Sequence, residues 1–320
     1  MLDRHGRRLD YARVSITDRC NLRCAYCMPK QPPSRGALSS ADLLRICLVL
    51  ARLGIKKIKL TGGEPLVRED LPALVAALKA MPGIEEVSLT TNGLLLAGLA
   101  KELARSGLDS VTVSLDTLNP DTYRALTVSD GLGEALSGLE GALQAGIGRV
   151  KLNCVPMVGV NESDLVPLAA IARDQKVHVR FIELMPIGPG RGFQRLSTDT
   201  VKKRLQAVYG EMTPSTEPLG NGPAVYYSLP GFAGKLGFIS AMSACFCASC
   251  TRIRLTADGL LKTCLHLDEG LDLAKNLHTQ SDEQLSKEIM DAVWKKPTGH
   301  AFRSDANTED MARIMSQIGG

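Results

Sequence analysis

Six strand-like stretches, each followed by a helix-like one, are apolar on one face and polar on the other, and few folds accept that combination. The strands read as Arg13–Thr17, Lys56–Thr61, Glu86–Thr91, Ser110–Asp116, Val150–Val155 and Val177–Leu184. Helical patterns lie between them: Ser39–Leu53 with Ser39 or Ser40 as N-cap, Leu71–Ala80, Leu95–Ser106, turns around Pro120–Leu126, Leu132–Ala145 and Ser163–Asp174. Alternating strand and helix means a parallel sheet, and buried parallel strands should be almost continuously Val, Ile and Leu. These are not. At period two, Val14, Ile16, Ile58, Leu60, Val87, Leu89, Val111, Val113, Leu115, Val150, Leu152 and Cys154 share one face. Ser15, Thr17, Lys59, Thr61, Ser88, Thr90, Asn92, Thr112, Ser114, Asp116, Lys151 and Asn153 share the other, continued by His178 and Arg180. Buried polar groups need partners. The pattern therefore predicts a partial (βα)6 TIM-like barrel with a wide, polar, ligand-filled lumen. A sheet with one wet face fits badly with the intervening helices.

On the loop after the first strand, Cys20, Cys24 and Cys27 form a Cys-x3-Cys-x2-Cys run. Thiolates suit iron–sulfur clusters or zinc, and a closed site of either kind takes four ligands. With no fourth Cys or His nearby, one position is left for a ligand, unless a distant residue completes a zinc site. The second strand ends in Gly62-Gly63-Glu64-Pro65, where paired glycines let backbone approach a ligand closely. After Pro186 the texture changes to Pro/Gly-rich linkers, a helix near Thr198–Tyr209 and short strands at Ala224–Leu229 and Lys235–Ser240. A second thiolate set follows, Cys247, Cys250 and Cys264, with a strand–turn–strand between them that returns Cys264 toward Cys247 and Cys250. Cys245 and His266 stand close enough to leave a three-Cys-plus-one zinc site open as an alternative. Arg252 and Arg254, two apart on one strand face, suit a phosphate group. Cys47 and Cys154 read as core thiols.

The 320 residues allow one large or two unequal domains, expected at 1–190 (the barrel) and 191–320 (a C-terminal α+β extension carrying the second cysteine set). No membrane-length apolar run or signal peptide is present, so a cytoplasmic address is expected, where nine cysteines read as metal or catalytic ligands rather than disulfides. A net charge of +4 does not imply nucleic acid.

The first cysteine run resembles the signature of radical S-adenosylmethionine (SAM) enzymes. Several further segments match one family within them, the GTP 3′,8-cyclases of molybdenum cofactor biosynthesis, from near the first residue to the last. They are Arg13–Cys20 with Met28-Pro29, the Gly-Gly-Glu-Pro turn, Thr90–Gly93, Val113–Asp116, Arg180–Met185, the second cysteine spacing with its two arginines, and the terminal Ile318-Gly319-Gly320. The resemblance implies two 4Fe-4S clusters, on Cys20/Cys24/Cys27 and on Cys247/Cys250/Cys264. It implies SAM contacts at Tyr26, Gly63, Ser114 and Met185. It implies a GTP site of Arg13, Lys59, Thr90, Lys151, Arg180, Arg252 and Arg254, and catalytic positions at Arg252, Arg254, Gly319 and Gly320. The implied chemistry is a lyase-type cyclisation: SAM cleavage gives a radical that takes hydrogen from C3′ of GTP, and that carbon attacks C8. The second cluster's open iron would hold the guanine edge. A one-electron reductant and a downstream cyclic pyranopterin monophosphate synthase are the expected partners, with no nucleic acid or membrane, and with the chain as a monomer or homodimer. Lys59 stands where Arg is expected in many relatives, and Lys30–Ala37 is abbreviated. The poorly packed segment His300–Gly320 reaches the active site in that family. Two other readings stay open: a radical enzyme acting on peptides, which the two arginines and Gly-Gly end disfavour, and a colourless zinc-stabilised binding protein.

Overall fold

A computed structural model describes residues 1–28, 30, 34–300, 302 and 314–319. The barrel strands are β1 (Tyr11–Ser15), β2 (Lys57–Thr61), β3 (Glu86–Thr91), β4 (Ser110–Ser114), β5 (Arg149–Cys154) and β6 (Val177–Ile182). They pair in parallel in chain order. Helices α1 (Ser40–Arg52), α2 (Leu71–Lys79), α3 (Leu96–Arg105), α4 (Pro120–Thr127), α5 (Leu132–Gln144) and α6 (Leu165–Asp174) lie between them. Ser39 caps α1, its side chain accepting from the Asp42 N–H. The first strand lies two residues earlier than expected. Its lumen-facing alternation begins at Tyr11, and after Ile16 the backbone leaves the ladder so that Thr17 can accept from the Gly63 N–H at 2.8 Å.

The C-terminal region completes this sheet rather than forming one of its own. Elements α7 (Thr198–Tyr209), β7 (Thr213–Ser215), β8 (Val225–Ser228), β9 (Leu236–Ile239), β10 (Arg252–Leu255), β11 (Leu260–Lys262), β12 (Leu271–Asp272) and α8 (Asp282–Trp294) follow in order. β9 pairs in parallel with β6, and β10 in parallel with β1. The spatial order is β12-β11-β10-β1-β2-β3-β4-β5-β6-β9-β8-β7, and each edge is an antiparallel ribbon. The barrel is partial and does not close. The apolar face behaves as its period requires: Val14, Ile16, Ile58, Leu60, Val87, Leu89, Val113 and Leu152 are all fully buried in one continuous core with the helices. Among the described residues no helix is long and apolar enough to cross a membrane.

Candidate active site

Both cysteine sets open onto a single cavity of about 320 Å³ at the C-terminal ends of the barrel strands. Cys20, Cys24, Cys27, Cys247, Cys250 and Cys264 line it, together with Tyr26, Gly63, Thr90, Ser114, Met185, Arg13, Arg252 and Arg254. The first loop is docked on α4, with the Arg23 and Ala25 N–H groups bonded to the Thr127 and Leu126 carbonyls. Gly63 is required by a backbone approach. A Cβ there would overlap the Arg19 carbonyl, so the missing side chain lets the Gly-Gly turn sit against the cysteine loop. Glu64 accepts from the Leu66 and Asn92 N–H groups and the Thr91 hydroxyl, and burial pushes its carboxyl up to about 7.

The donor set fits an iron–sulfur centre. Burial pushes the Cys24 thiol well up and the Cys27 thiol to about 12, so thiolates here require a positive centre beside them. The space beside them fits a polar ligand. Thr61 Oγ1 and Asn153 Oδ1 are buried without a hydrogen-bond partner among the described residues, and both line the cavity. Tyr26 donates to Asp116 Oδ2 at 2.6 Å, and burial raises the Asp116 carboxyl to about 6.

Beneath lies a second, smaller cavity that shares Arg13, Thr90, Asn153 and Arg252 with the first and adds Lys59, Lys151 and Arg180. Register explains the convergence: Arg13 pairs with Lys59 and Arg254, and Lys151 and Arg180 follow three and four strands on from Lys59. Lys59, Lys151, Arg180 and Arg254 are buried, yet none forms an ion pair with a described carboxylate. Among the described residues the one carboxylate on this floor, Glu86, is taken by Arg149 at 2.8 Å and by the Asn221 amide at 3.0 Å. Thr112 Oγ1 accepts from Lys59 and Arg180. Lys151 makes no hydrogen bond among the described residues; burial, then Arg180 and Arg149, lower its pKa to about 7. Burying a charge unpaired is costly. A lumen lined by several has the chemistry to receive an anion.

Ile318 and Gly319 enter the lumen. Arg254 donates to the Gly319 carbonyl at 2.6 Å and the Ile318 carbonyl at 3.3 Å, and Ile318 is fully buried. Gly319 has φ +72°, and a Cβ on it would stand 2.6 Å from Thr61 Oγ1. Gly320 lies outside the described residues. Around the second cysteine set, Cys264 Sγ is 3.2 Å from His266 Nδ1. Ligand atoms of Cys245, Cys247 and His300 fall within 4.8 Å of one another.

Several residues that shape the site were not singled out in the sequence, although Glu183 lies within the Arg180–Met185 segment. Glu183 takes the Thr198, Met242 and Ser243 N–H groups and the Ser243 hydroxyl, tying β6 to the loop before Cys245. Arg7 reaches the Cys247, Pro297 and Thr298 carbonyls from the N-terminus, and Lys296 binds the Arg252 and Thr263 carbonyls. The Gly220–Pro223 stretch, expected as a linker, lines the cation floor. None of these contacts has a local motif.

Residues 14–172 match the Radical SAM superfamily, and residues 177–302 match Molybdenum Cofactor Synthesis C. The chain is 41% identical to "GTP 3′,8-cyclase" of Clostridium perfringens over 325 residues, covering all of both chains. It is 44% identical to the protein of the same name from Heliobacterium modesticaldum over 329 residues, again covering both entirely. Among solved structures, Streptococcus suis SuiB bound to precursor peptide SuiA superposes with a TM-score of 0.65 at 15% identity, covering 94% of this chain and 68% of that one. A radical SAM methyltransferase from Sphaerobacter thermophilus gives a TM-score of 0.52 at 18% identity, covering 74% and 68%. These two share the fold.

Proposed function

The chain belongs to the GTP 3′,8-cyclases, radical SAM enzymes of molybdenum cofactor biosynthesis, and we propose that its two cysteine sets and buried cation floor are the parts with which it converts GTP to 3′,8-cyclo-7,8-dihydro-GTP. Cys20, Cys24 and Cys27 would hold the 4Fe-4S cluster that the superfamily carries, with SAM bordered by Tyr26, Gly63, Ser114 and Met185. When bound, cluster and SAM together supply a hydrogen-abstracting radical. In our reading Cys247, Cys250 and Cys264 would hold a second 4Fe-4S cluster, which would supply a Lewis-acidic iron for the guanine edge.

The residues of this chain do the positioning. Lys59, Lys151 and Arg180 would take the triphosphate from below, where their buried charges lack carboxylate partners. Arg13, Thr90 and Arg252 border both cavities and would grip the middle of the nucleotide. Arg252, stacked at 4.8 Å on the Phe246 ring, and Arg254, bonded to the tail, stand in the catalytic positions with Gly319 and Gly320. A nucleotide so held keeps C8 close to C3′, and holding reactive atoms in register is a large part of catalysis. The observation that carries the reading is the set of buried cations, in no ion pair with a described carboxylate, on the floor beneath a cavity that both cysteine sets share.

The same reading assigns residues 1–190 to SAM chemistry and 191–320 to the substrate-binding centre. It places the protein in the cytoplasm as a monomer or homodimer, served by a one-electron reductant and followed by a cyclic pyranopterin monophosphate synthase. The test uses protein purified without oxygen. About eight irons per chain, with 5′-deoxyadenosine formed only when GTP is present, support it. Zinc without iron, or no SAM cleavage with any nucleoside triphosphate, refutes it. Four irons with GTP-independent cleavage would overturn the second cluster and the substrate.

A further inference from the structure

His300 comes close to the second cysteine set, although it lies thirty-six residues beyond Cys264 in the chain. Its Nε2 is 2.9 Å from the Ala241 carbonyl oxygen. A carbonyl can only accept, so Nε2 carries the proton and Nδ1 presents its lone pair. Nδ1 is buried and has no hydrogen-bond partner among the described residues. An imidazole whose far nitrogen is anchored to a backbone carbonyl and whose near nitrogen is bare is the arrangement that ligating histidines adopt. A ligand atom of His300 and the sulfurs of Cys247 and Cys245 lie within 4.8 Å of one another. His300 also lines the cavity into which Cys247, Cys250 and Cys264 open, whereas the exposed Cys245 does not. The Phe302 ring, 5.0 Å away, packs against the imidazole.

Resting on the proposed second cluster, we infer that His300 Nδ1 is the fourth ligand of that cluster in the substrate-free enzyme, and that GTP displaces it. The exchange is a ligand substitution: one iron–nitrogen bond breaks, one bond to a guanine donor forms, and no electron moves. His300 keeps its Nε2 proton on Ala241 throughout. The bond closes the open iron to water and stray thiols until substrate arrives, and its release couples GTP binding to the chain around Ala241 and Phe302.

The test uses full-length, anaerobically prepared holoenzyme with nitrogen-15 only in histidine, after its iron content has been measured. Pulsed electron paramagnetic resonance of the reduced protein should show one strongly coupled histidine nitrogen. The coupling should be lost on adding GTP and absent from His300→Ala, and it should persist in Cys245→Ser and His266→Gln. Eight irons with no histidine coupling, or coupling unchanged in His300→Ala, overturn the inference while leaving the second cluster standing. Coupling that GTP leaves unaltered overturns the displacement, and needs no variant to fold. Only about four irons per chain would instead overturn the second cluster on which the inference rests, and the inference with it.

Discussion

Replacing Lys151 by Met should make the nucleotide-free protein more stable and its GTP binding weaker, a pairing that an ordinary structural lysine would not give. Among the described residues Lys151 is buried, makes no hydrogen bond, and faces Arg180 and Arg149 with Glu86 as its countercharge. Its pKa falls from 10.5 to about 7, chiefly through burial. Between those values the unfolded chain binds the proton and the folded chain does not, so stability rises with pH across the window. At or below about pH 7 the ammonium therefore costs the fold on the order of 4 kcal/mol. Met fills much of the same volume without the charge and should recover roughly 2–4 kcal/mol of it. The gain should be full near pH 7 and shrink by more than half at pH 9.5. Losing one charge-assisted contact to a phosphate, about 1.5–3 kcal/mol, should weaken GTP roughly 10- to 150-fold. Thermal unfolding at the two pH values, with calorimetric titration of GTP into SAM-free holoenzyme, reads both effects. A Met variant that is less stable at pH 7 and binds GTP within twofold of the parent would refute the argument. Lys151 would then be a packed stem, not an uncompensated charge awaiting an anion.

Other expectations follow from the same geometry. Gly319→Ala combines a positive φ with a Cβ 2.6 Å from Thr61 Oγ1, so the tail should leave the lumen; turnover should fall tenfold or more with iron content unchanged, checked by 5′-deoxyadenosine and iron assays. Glu183→Ala strips three hydrogen bonds from the loop before Cys245 and one from the start of α7, and should cost about 3 kcal/mol in thermal unfolding. Burial opposes ionisation of Glu183, but the Ser243, Thr198 and Met242 donors outweigh it and hold its pKa below the ordinary 4.5. Its contribution should therefore be present above about pH 4.5 and lost as pH falls through the lower folded value, seen as an acid transition that Glu183→Ala lacks. Val128, a β-branched residue at φ +57° closing α4 behind the first cysteine loop, should accept Asn with a gain of about 1 kcal/mol by denaturant unfolding; a loss would mean that the conformation is not strained.

Much of the site could be read from the chain because its signals are local. Period-two alternation put Lys59, Lys151 and Arg180 on the lumen face, and each cysteine set is a short run whose spacing survives any error in strand order. Strand ends were less legible: β1 begins at Tyr11 because pairing with β2 and β10, not composition, sets its limits. Helix α8 went unread despite a Ser281–Gln284 capping box, since its stability also comes from Arg45 and Arg52 on α1 meeting Asp282. Nothing in the sequence could reveal Arg7, Glu183 or Lys296 as supports of the second cysteine loop, because each acts across a long loop closure.

The sequence by itself determined the chemistry of this protein: soft ligands in two threes, cations on one strand face, and a glycine turn at a strand end. Those are properties of residue type and spacing, and they hold in any frame that keeps the period. Only the tertiary structure decided that the two cysteine sets share one cavity, since β10 must pair beside β1 to carry Cys247, Cys250 and Cys264 to the lumen mouth. It alone seated Gly319 on Arg254 and aligned the His300 ring with Ala241. Such contacts join residues dozens to hundreds of positions apart, and they exist because the core beneath them fixes where every strand must end.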